Sequence, residues 1–113
     1  MHELPITEQI IKIAEEHGHK ARASKVVQIK IVIGENSGYV GESIRMYFDI
    51  FSKGTLCEES TLEIETVKPK LSCPACGELF ERKPMRFDCP VCGTDGEPTK
   101  IGREFYIDSI TVI

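Results

Sequence analysis

The sequence predicts an α+β protein, a mixed three-stranded sheet with two helices that carries an inserted module built on four cysteines. Three observations predict it. Residues 25–33 alternate apolar and polar side chains, as a half-buried strand does. Two other stretches repeat apolar residues at helical spacing. Cys73, Cys76, Cys89 and Cys92 form two C-x-x-C pairs with twelve residues between them, the spacing of a four-cysteine zinc ribbon.

The first helix is read from Ile6, Ile10, Ile13 and Ala14, which share one face, while Glu8, Gln9, Lys12, Glu15 and Glu16 fill the wet side. Pro5 is tolerable in its first turn, and Gly18 is expected to stop it near His17. In the strand that follows, Val27, Ile29, Ile31 and Ile33 are expected on one face, with Gln28 and Lys30 on the other. Gly34 to Gly41 holds three glycines with Asn36 and Ser37 and reads as a loop. A second helix is predicted over roughly 42–53, with Ile44, Tyr47, Phe48 and Phe51 as its apolar stripe and Gly54 at its C′ position. Residues 61–67 alternate again, Leu62 and Ile64 against Glu63 and Glu65. If the two strands pair in parallel, the strand–helix–strand order implies a right-handed crossover.

Pro69 marks a boundary, and the cysteine segment runs from there to about Gly102. The tail from Glu104 to Ile113 carries Phe105, Ile107, Ile110, Val112 and Ile113, too apolar for a loose end. It is therefore expected to return to the first sheet. The domain division that follows is 1–68 with 104–113 as one unit and 69–103 as an inserted zinc-ribbon unit.

Eighteen acidic against fourteen basic side chains give a net charge of −4, which argues against nucleic-acid binding through bulk charge. Between Lys68 and Glu104 the seven basic and six acidic residues form no basic stripe. No apolar run is long enough to span a membrane, and no leader pattern is read at the N-terminus. Five cysteines fit a disulfide framework poorly and point to metal in a reducing compartment, so the cytoplasm is the expected location.

Four thiolates suit tetrahedral zinc and leave no open position for water or substrate, so the zinc is expected to be structural, not catalytic. Gly77 and Gly93 follow the two pairs and can take positive φ, letting backbone N–H groups point at sulfur. The same C-x-x-C-G pattern also occurs in rubredoxin, where iron carries electrons. A two-cysteine disulfide switch is a further alternative.

Met1-His2-Glu3 has chelating chemistry of its own. The terminal amine, the amide nitrogen of His2 and its imidazole Nδ1 can close a five- and a six-membered ring on one ion. Deprotonated amide nitrogens impose a square-planar field that suits Ni(II) or Cu(II). The amide of Glu3 offers a fourth nitrogen, and its carboxylate a further contact. The structural alternative is a frayed, solvated terminus. His17 and His19 read as a favourable placement of imidazole at the negative end of a helix, in preference to auxiliary metal ligands. Cys57, beside Glu58 and Glu59, reads as an inert, packed thiol.

Taken together, the chain resembles the HypA/HybF family of hydrogenase maturation factors over essentially its whole length. The resemblance rests on Met1-His2-Glu3, the turn Ile33-Gly34-Glu35-Asn36-Ser37, Gly54-Thr55, both cysteine pairs and the closing run from Gly102 to Ile110. It implies a nickel metallochaperone with a nickel-binding domain and a zinc ribbon. It further implies delivery of Ni(II) to the [NiFe]-hydrogenase large-subunit precursor, with a HypB-type GTPase as partner and no turnover chemistry. By position, His2 matches the family's nickel residue, with the Met1 amine and Glu3 beside it. An acidic residue in the loop before the second helix assists in some members, and Glu42 is the nearest candidate here. A monomer or weak homodimer is expected. The alternative reading is a zinc-ribbon adaptor or nucleic-acid-binding module that never handles nickel.

Overall fold

A computed structural model describes residues 3–113. The chain runs through α1 (Glu3–Lys20), β1 (Val26–Gly34), α2 (Gly41–Phe51), β2 (Thr61–Val67), β3 (Leu71–Ser72), β4 (Leu79–Phe80), β5 (Glu97–Pro98) and β6 (Phe105–Val112). Two three-stranded sheets result, ordered β2-β1-β6 and β4-β3-β5. In the first, β1 is central, parallel to β2 and antiparallel to β6. The returning tail thus closes the first sheet, as its apolar composition requires. The two sheets lie along a molecule of 55 × 27 × 17 Å with a radius of gyration of 18.0 Å. A single compact body of about this length has a radius near 13 Å.

Both helices pack on one face of the first sheet. The core joins Ile10, Ile11 and Ala14 of α1 to Val26, Ile29, Ile31 and Ile33 of β1, Ile44 and Phe48 of α2, and Cys57 and Leu62. The buried stripe of α1 is Thr7, Ile10, Ile11, Ala14 and Gly18, rotated slightly from the one expected. Ile13 turns outward at 36% exposure and Ile11 takes its place. Thr7 sits on this face at no cost in unpaired polarity, because its hydroxyl donates to the Glu3 carbonyl.

β1 departs from strict alternation for an identifiable reason. Val26 pairs with Val112 and Gln28 with Thr111, so Val27 is an extra residue, a β-bulge. The bulge puts Val26, and not Val27, into the core. A second irregularity, at Asp108 between the pairs Lys30–Ser109 and Ile31–Ile107, interrupts the edge strand β6.

Gly18 does not end α1. It is buried, and a Cβ there would come within 2.9 Å of Leu56 Cδ1, so its smallness serves packing against the turn before β2. The helix instead runs on to Lys20, two residues beyond Gly18, with Ala23 N–H donating to the Gly18 carbonyl and Arg22 N–H to that of His19. This double bond pattern is a Schellman motif, and its left-handed residue is Arg22, at φ 56°. A non-glycine residue there carries a conformational cost. Arg22→Gly is therefore expected to stabilise the protein by about 0.5–1 kcal/mol, read as a higher midpoint in urea unfolding.

α2 ends at Phe51, where Ser52 N–H donates to Phe48. Gly54, at φ 80°, serves the turn after the helix and not the helix end itself.

Candidate metal centre

The sulfurs of Cys73, Cys76, Cys89 and Cys92 all lie within 4.8 Å of one another. Cys73 and Cys92 approach to 3.3 Å, and Cys76 and Cys89 to 3.6 Å, with all four thiols free. Zinc–sulfur bonds of about 2.3 Å place tetrahedral sulfurs about 3.8 Å apart, so the cluster fits a four-thiolate metal ion. Each pair contributes one buried and one exposed cysteine.

The local backbone explains why the sulfurs converge. In each half, the cysteine N–H closes a loop onto a later carbonyl, Cys73 onto Glu78 and Cys89 onto Thr94. Gly77 and Gly93, both at φ 79°, turn the chain back and donate to the carbonyls of Cys73 and Cys89. Backbone N–H groups then point at sulfur: Cys76 N to Cys73 Sγ and Val91 N to Cys89 Sγ, each at 3.4 Å. The two halves are built alike, as the paired glycines predict.

The thiols are not equivalent before a metal arrives. Hydrogen bonding with the Thr94 hydroxyl, 3.4 Å away, and with the Thr94 backbone draws Cys92 down to about 6. Backbone hydrogen bonding at Glu78 pulls Cys76 down, but its three thiol neighbours and desolvation outweigh this and push it up to about 12. Among the described residues, its apolar support is a small cluster of Cys73, Phe80 and Cys89, with Leu71 against it.

Of the residues expected to hold nickel, Met1 and His2 lie outside the described residues. Glu3 opens α1 and is 8% exposed. Its Oε2 accepts the backbone N–H of Val40 at 3.2 Å. Val40 is the N-cap residue of α2 and has no side-chain oxygen for the task. Glu3 thus does from another helix what a glutamate at the third helical position does in a capping box, a position held here by Ser43. Its charge also faces the positive end of α2. No local sequence pattern reports this bond, because its partners are 37 residues apart.

Glu42 is not in a loop: α2 begins at Gly41, so Glu42 sits in the first turn, exposed, two residues beyond the one that Glu3 holds. The structure therefore brings Glu3 and the first turn of α2 to the same end of the molecule. Glu3→Ala leaves the Val40 N–H without its carboxylate and is expected to cost about 1–2 kcal/mol in urea unfolding. Glu3→Gln, which keeps an acceptor oxygen, is expected to recover about half of that.

His17 and His19 occupy the last turn of α1 and are exposed. Among the described residues, the cysteine site is the sole cluster of three or more metal-binding side chains, and neither histidine belongs to it. Cys57 is buried, and its thiol is pushed up to about 11, first by burial and then by the charge of Glu15. The carboxylate that matters is thus across the core on α1. Neighbouring Glu59 is turned to Lys25 at 3.2 Å. No helix among the described residues is long and apolar enough to cross a membrane.

Known proteins share both the sequence and the fold. A family described as "Hydrogenase/urease nickel incorporation, metallochaperone, hypA" matches residues 1–112. A hydrogenase maturation factor HypA of Caldanaerobacter subterraneus is 41% identical over 113 residues, covering 99% of each chain. One from Dehalococcoides mccartyi is 37% identical over 112 residues, covering 99% of this chain and 94% of its own. The solution structure of the Ni metallochaperone HypA from Helicobacter pylori superposes with a TM-score of 0.64 at 25% identity, covering 98% of this chain and 97% of that one. A second HypA solution structure gives a TM-score of 0.71 at 26% identity, covering 100% and 97%. With two helices over a β2-β1-β6 sheet and a four-cysteine metal site on the intervening segment, this chain belongs to the HypA family of nickel-incorporation metallochaperones.

Proposed function

We propose that this chain captures Ni(II) at Met1-His2-Glu3 and hands it to the [NiFe]-hydrogenase large-subunit precursor in the cytoplasm, assisted by a HypB-type GTPase. The observation that carries the reading is the family match over residues 1–112, which includes the opening tripeptide. The amine of Met1, the amide and imidazole of His2 and the amide of Glu3 form a planar nitrogen set suited to Ni(II). The Glu3 carboxylate, held by Val40, fixes residue 3 beside the first turn of α2, where Glu42 adds a carboxylate. Nickel is cargo, so an exchangeable site at a chain end suits the task, and no bond-making step is assigned to the protein.

In the same reading Cys73, Cys76, Cys89 and Cys92 hold a structural Zn(II), whose closed thiolate shell supplies folding energy and no chemistry. Residues 1–68 with 104–113 form the nickel-binding domain, and 69–103 the zinc-ribbon domain.

Calorimetric titration of Ni(II) into untagged protein tests the site. His2→Ala is expected to weaken binding by at least about a hundredfold, and an N-terminal extension that removes the primary amine to weaken it comparably. Unchanged affinity in either variant rejects the site.

A further inference from the structure

A cleft of ≈ 700 Å³ opens where residues 68–71 leave the first sheet and Arg103 leads back to it. Its charge runs against that of the chain. The protein carries −4, yet Lys68, Lys70, Arg82 and Arg103 line the cleft against only Glu35 and Glu81. All four basic side chains are on exposed residues. Ion pairs are formed by Lys25 with Glu59, Lys30 with Glu65 and Arg86 with Asp88, all outside the cleft lining. Among the described residues, none of the four cleft cations is in an ion pair. They come from the outgoing connection, the ribbon and the return connection, so they surround the cleft and do not converge on one point.

An aromatic surface stands beside them. The Arg82 guanidinium lies 4.8 Å from the centroid of the Phe87 ring, which is half exposed. The Phe87 carbonyl accepts Gly96 N–H at 2.8 Å, so the backbone that carries the ring is tied to the residue before β5. Leu71 adds apolar lining. We infer that this cleft docks an acidic, partly apolar peptide segment of a partner protein. Carboxylates meet the lysines and the arginine forks, and an apolar side chain meets the Phe87 ring. A phosphate group alone would leave the apolar wall unused. A nucleic-acid strand would face the acid-rich remainder of the chain.

The test uses the metal-loaded full chain and a fluorescein-labelled octapeptide alternating glutamate and phenylalanine, read by anisotropy. Saturable binding is expected, weaker in high salt. The double variant Lys70→Glu with Arg82→Glu should weaken it by about tenfold or more. Lys12→Glu with Lys20→Glu makes the same charge change on exposed positions of α1 and should leave binding within about twofold of the parent. The milder Lys70→Ala with Arg82→Gln, which adds no repulsion, should fall between. Absence of saturable binding, or equal losses in the two charge-reversed proteins, overturns the inference. Preferential binding of a single-stranded DNA oligonucleotide, or displacement of the peptide by equimolar pyrophosphate, also overturns it by assigning the cleft to phosphates. Nickel binding at the N-terminus does not enter the readout, so this result is separate from the test of the nickel site.

Discussion

Cys89→Ser is expected to abolish stoichiometric metal in the four-cysteine site and to unfold the β4-β3-β5 sheet, while the β2-β1-β6 sheet stays folded. The reason is the size of the second core. Cys73, Phe80 and Cys89 are its buried members, and two of these three belong to the four-cysteine cluster that can hold a metal ion. The strands above them are two residues each. So small a cluster does not offset the ordering entropy of the segment. A bound metal ion supplies the missing folding free energy in modules of this size. The first sheet has its own core of eleven buried residues, ten from two helices and two strands and the eleventh Cys57, and does not draw on the metal. Metal analysis with heteronuclear NMR checks both halves: dispersed signals from residues 26–34 with collapsed ones from 71–98 is the expected pattern. Native shifts throughout 71–98 in metal-free protein would show that the ribbon folds on its own. Acid should mimic the substitution. The metal holds four sulfurs deprotonated, so the stabilisation is complete at high pH and is lost as protons displace the ion on descent.

How much of this was readable in the residues depends on the range of the contacts involved. The cysteine site was legible because its geometry is local: two knuckles, each with a glycine at φ 79°, set by residues within six positions of one another. The returning tail was legible because five apolar side chains in ten residues need a surface that the ribbon lacks. What escaped were choices made by distant neighbours. Gly18 has the spacing of a helix stop, but Leu56, from the far side of α2, wanted its missing Cβ. Val27 fits the alternation, yet pairing with β6 makes it the bulge and Val26 the core residue. The bond from Val40 N–H to Glu3 Oε2 joins residues 37 apart, so no local pattern announces it. At Gly18 and Val27 the local pattern was compatible with two outcomes, and a tertiary contact selected one. The cleft cations were hidden likewise, since a count along the segment shows mixed charge and only the fold brings four basic residues around one opening.

Gly34→Ala is expected to destabilise the protein by about 3 kcal/mol, lowering its thermal midpoint by about 10–20 °C. Gly34 closes β1 just where the return connection crosses. A Cβ there would lie 2.1 Å from the Gly102 carbonyl oxygen, 2.2 Å from its carbon and 2.6 Å from Arg103 N. All three are backbone atoms, so no rotamer change relieves the clash. The crossing cannot back away easily. Gly34 N–H donates to Glu104 O and Asn36 N–H to Gly102 O, each at 2.7 Å, and Gly102 N–H is held by Glu104 Oε1 at 2.7 Å. On its other side Gly102, at φ 100°, faces Pro69, whose Cα would stand 2.6 Å from a Cβ at that position. Three chain segments therefore meet with only hydrogen atoms between them: the end of β1, the outgoing connection and the return. Gly38 supplies the control. It has φ 89° in open space, so Gly38→Ala adds strain without crowding and should cost only about 1 kcal/mol. Urea unfolding of the two variants separates the effects. Equal losses would mean that backbone conformation, and not the crossing, governs this end of the sheet. The larger loss at Gly34 would place the stability of the joint in the close approach of two main chains, which also shapes the cleft beside Lys68 and Arg103.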